Sequence, residues 1–394
     1  MPKGEHRDVG WAEMGASSRA ILAEVLLHGP LARSELARRL GLSPASLTKL
    51  TRPLIDDGLL SESGAKAQAS TGRPALPLEV VPDRAQVIGI KLNPDGLFAV
   101  RTDLQARVLE EYECKLDRHD PASVDEAIAA AIVFLDPGER VERVGVSLAA
   151  NIRPGDGIVR DSPYLDWSQV PLVAAIEQRT GHSAVLSNDV RALTVAQHWF
   201  GAGKQSQCFG VLTVGKGVGC GLVVNNAVVS GYDGHAGLLS HSPVVDGGPL
   251  CRQGHRGCAS AYLSSGSIVR SLFATDGFRG KTFEDALEAA RDGNPPAVRV
   301  FSDACFALGV LCAHIANMIG PDRIVLSGEG IGMYDVAPGA VDEGIRRTVH
   351  WSASPFVLEV QPFAFSEWAR GAAAVAVQSL VFGDSPAPEG AGPA

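Results

Sequence analysis

The sequence has no basic, then apolar, then small-residue segment at its N-terminus. It also has no unbroken apolar run approaching the ~20 residues that cross a bilayer, so a cytoplasmic location without a membrane partner is expected. Cysteine is scarce: seven residues, an odd number at irregular spacing, read as buried thiols plus a possible metal site and exclude a disulfide framework. Positive charge is not in excess either. With a formal net charge of −9, the surface as a whole is unsuited to nucleic acid, yet residues 1–84 hold 11 Lys and Arg against 10 Asp and Glu, leaving 24 against 34 for the remainder. Only the N-terminal part could meet DNA comfortably. What is present is an ordinary globular composition, 45% apolar and 20% charged over 394 residues, long enough for two or three units.

Residues 1–15 show no periodicity and predict a loose arm. From Ser17, Ile21 and Val25 pair at i, i+4 with Leu22 and Leu26 beside them, until Gly29-Pro30 ends a first helix. Ser34 is expected to cap a short second helix bearing Leu36 and Leu40, Gly41-Leu42 make a turn, and Ser43-Pro44 supply the N-cap and first-turn proline of a third. In that third helix Leu47, Leu50 and Leu54 are expected to face inward, leaving Ala45, Ser46, Thr48, Lys49 and Arg52 outward. Ser43, Ala45, Ser46 and Thr48 are short enough to approach base edges, while Lys49 and Arg52 can reach phosphates. Pro53 removes a backbone donor and is a candidate kink. Two short alternating runs around a Gly, Ser and Ala-rich loop read as a β-hairpin wing, with Arg73, between Gly72 and Pro74, suited to a narrow minor groove. Residues 16–82 therefore predict a winged helix-turn-helix that binds double-stranded operator DNA. The plain alternative is a helical dimerisation module with Arg73 as a solvated loop residue.

From Gln86 the chain alternates strands and helices, predicting an α/β protein. Three consecutive strands with turns at 93–96 and 104–106 precede a helix over Ser123–Leu135, and a helix follows over Val190–Phe200. A similar three-strand start recurs from Cys208, so two similar lobes are expected: roughly 83–192 plus the C-terminal helix, and 193–366. Phe301–Ile319, apolar nearly all round, predicts a buried helix, and Glu367–Leu380 an alanine-rich helix returning to the first lobe. Residues 383–394, rich in Pro, Gly and Ala, predict a tail without fixed structure.

The motifs N-D-V-R-A-L-T-V-A-Q-H-W-F-G-A-G from Asn188, L-T-V-G-K-G-V-G-C-G-L-V-V from Leu212, G-H-A-G-L-L-S-H ending at His241, C-R-Q-G-H-R-G-C over Cys251–Cys258, and P-D-R-I-V-L-S-G-E-G from Pro321 occur in an order that resembles the ROK family of repressors, uncharacterised proteins and sugar kinases. The resemblance covers residues 17–382, and the N-terminal head places the chain with the family's regulators. It implies an actin/hexokinase-like two-lobed ROK domain over residues 83–382, a sugar-type effector between the lobes, a structural zinc, and homodimers or homotetramers on operator DNA.

The departures from the family pattern are as informative as the matches. Where the family's kinases carry an acidic residue and a glycine-rich turn for Mg²⁺ and nucleotide phosphates, this chain has Lys91-Leu92-Asn93-Pro94-Asp95, and Lys216 stands at a usual threonine. Neither ATP binding nor phosphotransfer is expected, so no residue is assigned a catalytic role. Asn188 and Asp189 match the family's sugar-contacting pair, Asp189 being the vestige of a catalytic base. The bland reading is that they cap the following helix. Tyr164 and His241 complete the implied effector set, in which Leu238 and Ser260 replace two glutamates. Losing those acceptors weakens the reading of a glucose-type ligand. For the metal, His241, Cys251 and Cys258 match, but Gln253 stands at a usual cysteine and is a poor zinc ligand; His255 could supply the fourth donor. The alternative is a metal-free loop with two buried thiols. The leading expectation is thus a DNA-binding regulator, a repressor of carbohydrate-related genes with a degenerate sugar site. Its rivals are a regulator with a vestigial pocket governed by a protein partner, and an ATP-dependent sugar kinase with a DNA-binding appendage.

Overall fold

The computed structural model describes residues 10–62, 76–275 and 278–383. The hairpin tip with Arg73, the first nine residues and the tail beyond residue 383 lie outside the described residues. By its contacts the chain divides into two compact units, one running up to Gln205 and resuming at Phe365, the other Ser206–Ala364.

The first unit opens with α1 (Ala16–His28), α2 (Arg33–Arg39) and α3 (Pro44–Asp56). Ile21, Leu22, Val25 and Leu26 meet Leu36, Leu47 and Leu54 in a small sealed core. Ser43 caps α3 as its sequence predicts, its side chain accepting from the Ser46 N–H at 3.1 Å. Ser34 does not cap α2, which starts two residues earlier than that cap implies, at Arg33 with Ala32 at the cap. Leu50 is only half-buried and Thr51 is sealed instead, because 47, 51 and 54 follow the 3.6-residue period more closely than 47, 50 and 54. Helix α3 continues through Pro53, which sits on its exposed side, where solvent can serve the carbonyl that proline leaves unpaired. The wing strands β1 (Leu60–Glu62) and β2 (Leu78–Val80) pair antiparallel, and Leu31 bridges Leu78 as a third edge. Residues 10–15, expected to belong to a loose arm, are tied down by Arg19, which donates to the carbonyls of Trp11 and Met14.

The rest of the first unit is a five-stranded sheet: β3 (Gln86–Asn93), β4 (Gly96–Asp103), β5 (Val108–Lys115), then α4 (Pro121–Leu135), β6 (Val141–Leu148), the hairpin β7 (Val159–Ser162) and β8 (Trp167–Val170), α5 (Leu172–Thr180), β9 (Ala184–Asn188) and α6 (Asp189–Phe200). The sheet order is β5-β4-β3-β6-β9, with β4 antiparallel and β6 parallel to β3. The short β7–β8 hairpin has no counterpart in the sequence reading.

The second unit repeats the plan. Strands β10 (Phe209–Val214), β11 (Val218–Val224) and β12 (Ala227–Val228) precede α7 (Ala259–Leu263), α8 (Ser265–Phe273), α9 (Phe283–Arg291), α10 (Pro295–Ile319), β13 (Arg323–Ser327), α11 (Pro338–Thr348) and β14 (Val357–Val360). Its order, β12-β11-β10-β13-β14, matches the first sheet strand for strand. Helix α10 is long and apolar enough to cross a membrane by length and composition, with mean hydropathy 1.6 in an 18-residue window, but 61% of that window is buried inside the protein. It is the core helix that the apolar run predicts, with Phe301, Ala304, Leu308 and Leu311 sealed.

The chain then returns to the first unit through α12 (Phe365–Phe382), which lies flat on the sheet of β3 and β6. Alanines and two glycines permit this approach: a Cβ on Gly89 would fall 2.1 Å from the Ala369 carbonyl oxygen, and one on Gly145 2.0 Å from that of Ala372. The opposite face of the sheet is covered by the core of α4 and α5.

Candidate functional site

In the head, Ser43, Ala45, Ser46, Thr48, Lys49 and Arg52 are all exposed on or at the start of α3. The apolar spacing turns Leu47 and Leu54 inward, so these polar positions share the outer side of one helix. Thr48 returns its hydroxyl to the Pro44 carbonyl (2.9 Å), and Arg52 is only loosely held by Asp56 at 3.8 Å with both side chains mostly exposed, leaving its guanidinium available.

The head is seated on the sheet domain of its own unit. Helix α1 packs against α6 and α12. One Nη of Arg19 donates to the carbonyls of Leu380 and Val381 (3.1 and 2.7 Å), taking up acceptors that the last turn of α12 would otherwise leave unpaired. Trp199 of α6 meets Phe382 edge-on with ring centroids 5.8 Å apart. Beside them, burial and the nearby His28 push the His198 imidazole down to about 4. None of this joint was legible beforehand, since Arg19 and its carbonyl partners are 361 and 362 positions apart.

Helix α6 also carries the expected sugar-contacting pair at its other end. Asn188 is its N-cap: Oδ1 accepts from the N–H groups of Val190 (3.0 Å) and Arg191 (3.2 Å), while Nδ2 donates to the Ala150 carbonyl at 3.2 Å. Asp189 is buried, one carboxylate oxygen accepting the Val190 N–H at 2.9 Å and the other the ammonium of Lys91. Lys91, buried on the central strand β3, lies with its Nζ 5.1 Å from the centre of the Trp368 ring on α12. The capping role is therefore fully built, and Asp189 carries a second partner that sequence reasoning had noted only as a lost carboxylate.

The β3–β4 turn is equally closed. Asn93 Oδ1 accepts the N–H groups of Asp95 and Gly96, each at 2.8 Å, and Pro94 has none to offer. Backbone donors that a phosphate cradle would present are thus consumed internally. Tyr164 lies between β7 and β8 and is 42% exposed. In the second unit the glycine run is a tight β10–β11 hairpin, Gly215 N–H bonding to the Gly217 carbonyl at 2.9 Å. Among the other expected effector residues, Leu238 is 73% exposed, and Ser260 on α7 is half-buried with its N–H on the Ser240 carbonyl at 2.7 Å.

The loop between β12 and α7 gathers four metal-type donors. His241, Cys251, His255 and Cys258 place one ligand atom each within 4.8 Å of all the others. The Cys251 sulfur is 3.7 Å from Nδ1 of both His241 and His255, and the Cys258 sulfur is 3.6 Å from His241 Nδ1. Zinc with sulfur at ~2.3 Å and nitrogen at ~2.0–2.1 Å gives tetrahedral edges close to those separations, so the donor set fits. A hairpin from Cys251 to His255 brings the two ends together: the Cys251 N–H bonds to the His255 carbonyl at 2.9 Å, and Gly254 takes the left-handed conformation at φ 86° that this turn requires. Gln253 hydrogen-bonds the His241 ring. Burial first, and then the facing His255, hold His241 below the usual histidine range, which keeps it neutral and able to ligate.

A winged helix-turn-helix head joined to two α/β lobes of matching strand order defines a class of two-lobed proteins with a nucleic-acid-type head. Residues 89–379 match the ROK family, and residues 16–61 match the winged helix-turn-helix DNA-binding family. The chain belongs to the ROK family. It is 28% identical over 327 residues to the N-acetylglucosamine repressor of Escherichia coli O6:H1, covering 79% of this chain and 80% of that protein. Among solved structures it is similar to a ROK family transcriptional regulator described as a homologue of the E. coli Mlc protein, with TM-score 0.79, 25% identity, and coverage of 93% and 96% of the two chains. It is also similar to a ROK family glucokinase from Streptomyces griseus solved with glucose and AMPPNP, with TM-score 0.64, 27% identity, and 75% and 100% coverage. That kinase shares the lobes; the regulator shares nearly the whole chain.

Proposed function

We propose that the protein is a DNA-binding transcriptional regulator, a repressor of carbohydrate-related genes, that lacks kinase activity and carries one structural zinc. The observation that carries this is the outer side of α3. It is polar, exposed and N-capped by Ser43, on a head that packs directly on α6, the helix whose other end bears Asn188 and Asp189. Ser43, Ala45, Ser46 and Thr48 meet base edges in the major groove, and Lys49 and Arg52 meet phosphates. Operator DNA is bound by a homodimer or homotetramer, which matches two half-sites with two heads. A sugar-derived effector acts on Asn188, Asp189 and Tyr164 of the first unit. His241, Cys251, Cys258 and His255 hold the zinc, which stiffens their loop and supplies no chemistry.

The closed β3–β4 turn supports the absence of phosphotransfer: Asn93 has taken the backbone donors, Pro94 has removed one, and Asp189 is bound by Lys91 where a base would have to be free. The decisive measurement is binding to fragments recovered by genome-wide capture, at low and moderate salt. Specific binding is expected, with the Lys49→Ala, Arg52→Ala double variant weakened roughly tenfold or more and its salt slope reduced by about two. Absence of specific binding at both salts would falsify the reading. Nucleotide turnover that depends on Asp189 would restore the kinase.

A further inference from the structure

Within the effector reading above, Asp189 has a role and its buried partner Lys91 has none yet. The geometry of the pair is that of an occupied site. The two oxygens of Asp189 are filled, one by the Val190 N–H and the other by the Lys91 ammonium. The ammonium in turn is roofed by the Trp368 ring at 5.1 Å, within cation–π range, and Lys91, Asp189 and Trp368 are all less than a tenth exposed. Lys91 issues from the central strand, Trp368 from α12 and Asp189 from the first turn of α6, so three separately packed elements converge on one charge pair.

We propose that Lys91 is the specificity-determining residue of the effector site, standing where a sugar hydroxyl would otherwise donate to Asp189, and so excluding neutral sugars while admitting sugars that carry an anionic group. The inference rests on the effector reading above. A neutral hydroxyl that displaced Lys91 from Asp189 would exchange a charge-assisted hydrogen bond for a weaker one and strand an ammonium in a buried site. Breaking a buried pair on one side in this way disfavours the neutral ligand by roughly 100-fold or more. A carboxylate or phosphate on the sugar changes the balance, because it re-pairs Lys91 as Asp189 turns to a hydroxyl. The exchange keeps one ion pair and leaves Asp189 hydrogen-bonded to the hydroxyl and the Val190 N–H, whereas a neutral sugar leaves both Lys91 and Asp189 without an ion pair. No covalent step is involved.

The test uses the full chain and four probes, glucose, N-acetylglucosamine, glucuronate and glucose 6-phosphate, followed by calorimetric titration, with DNA binding measured in parallel. Wild type is expected to bind at least one anionic probe and neither neutral one; glucuronate against glucose 6-phosphate tells a carboxylate source from a phosphate source. Lys91→Gln, which removes the cation and leaves at most a weaker neutral donor to Asp189, is expected to gain neutral-sugar affinity by about tenfold or more and to lose the anionic probe by a similar factor. Lys91→Arg should keep the wild-type preference, a rescue that a purely structural lysine does not predict. If Lys91→Gln fails to fold, Lys91→Met serves the same comparison. The proposal is overturned if wild type binds a neutral sugar through Asp189, as judged by loss in Asp189→Asn, if wild type binds neither anionic probe, or if the folded neutral variant gains no neutral-sugar affinity. Loss of DNA binding in wild type would instead count against the regulator reading and leaves this outcome separately readable.

Discussion

The two lobes share a strand order and differ in what their equivalent places contain. The turn after the first strand of each sheet is a glycine hairpin in the second unit, Gly215 to Gly217, and an asparagine-closed turn in the first, Asn93 to Gly96. The second unit gathers the metal-type donors His241, Cys251, His255 and Cys258 within 4.8 Å of one another, with His255 brought in by the tight hairpin from Cys251. The first unit has Lys91 where its kinase relatives are expected to carry a carboxylate, and Asp189 now bonds to that lysine. The architecture rests on sheet order and on backbone contacts of small residues, which many sequences satisfy. Chemistry rests on a few turn and strand-end side chains, where one charge reversal changes the site.

The largest expected effect breaks the comparison on the second unit's side. Cys251→Ser with Cys258→Ser should reduce bound zinc from one ion per chain to none and lower the melting temperature of that unit. DNA binding by the head in the first unit should persist. His255→Ala should also release the metal, whereas Gln253→Ala, which removes only a hydrogen bond to His241, should weaken it by about 10–100-fold. Equal metal loss in both single variants would dissociate Gln253 from the supporting role assigned to it.

On the first unit's side, Gly145→Val forces a side chain into the Ala372 carbonyl and should cost more than the ~3 kcal/mol of ordinary overpacking, read by denaturant unfolding. Gly339→Ala, in α11 of the second unit with nothing within 4 Å, is the matched control and should be near neutral. A Gly145→Val protein as stable as the control would refute the flat packing of α12.

The pH dependence comes next in size. His198, held at about 4 by burial and by His28, stays neutral in the fold, while in an unfolded chain it titrates near 6.5. Its folded value is depressed, so the stability it confers is complete above pH 6.5 and is lost as the pH falls toward 4, roughly 3 kcal/mol over that window. His198→Gln should flatten that part of the stability curve, and an unchanged slope would remove His198 from the seat of the head. The smallest effect is Ser43→Ala, about 1 kcal/mol from loss of the α3 cap, with weakened operator binding if the first turn frays.

Local order was legible in the sequence wherever short-range rules decide it. The Ser43-Pro44 start of α3, the three-strand opening of each sheet and the alanine-rich return of α12 follow from capping, alternation and periodicity. The α3 register was off by one because a leucine pattern at 47, 50 and 54 competes with the helical period, and the buried Thr51 gives no apolar signal. The β7–β8 hairpin is too short and polar to stand out. At the candidate site, residue types were readable and pairings were not. Lys91 was visible as a departure, but its bond to Asp189 spans 98 positions and depends on how β3 and α6 are brought together. His255 was visible as a spare donor, and only the hairpin geometry joins it to Cys251.

The Arg19 clamp has a consequence for synthesis. The head's own core involves residues close in sequence and can form early on the ribosome, but the carbonyls that receive Arg19 belong to Leu380 and Val381. Until those residues are made, the head has α6 to pack against but not the acceptors of the Arg19 clamp. A chain truncated before that turn would hold its recognition helix by the α1–α6 contact without the Arg19 clamp, so residues of α12 that lie 361 and 362 positions from Arg19 help fix where the head sits.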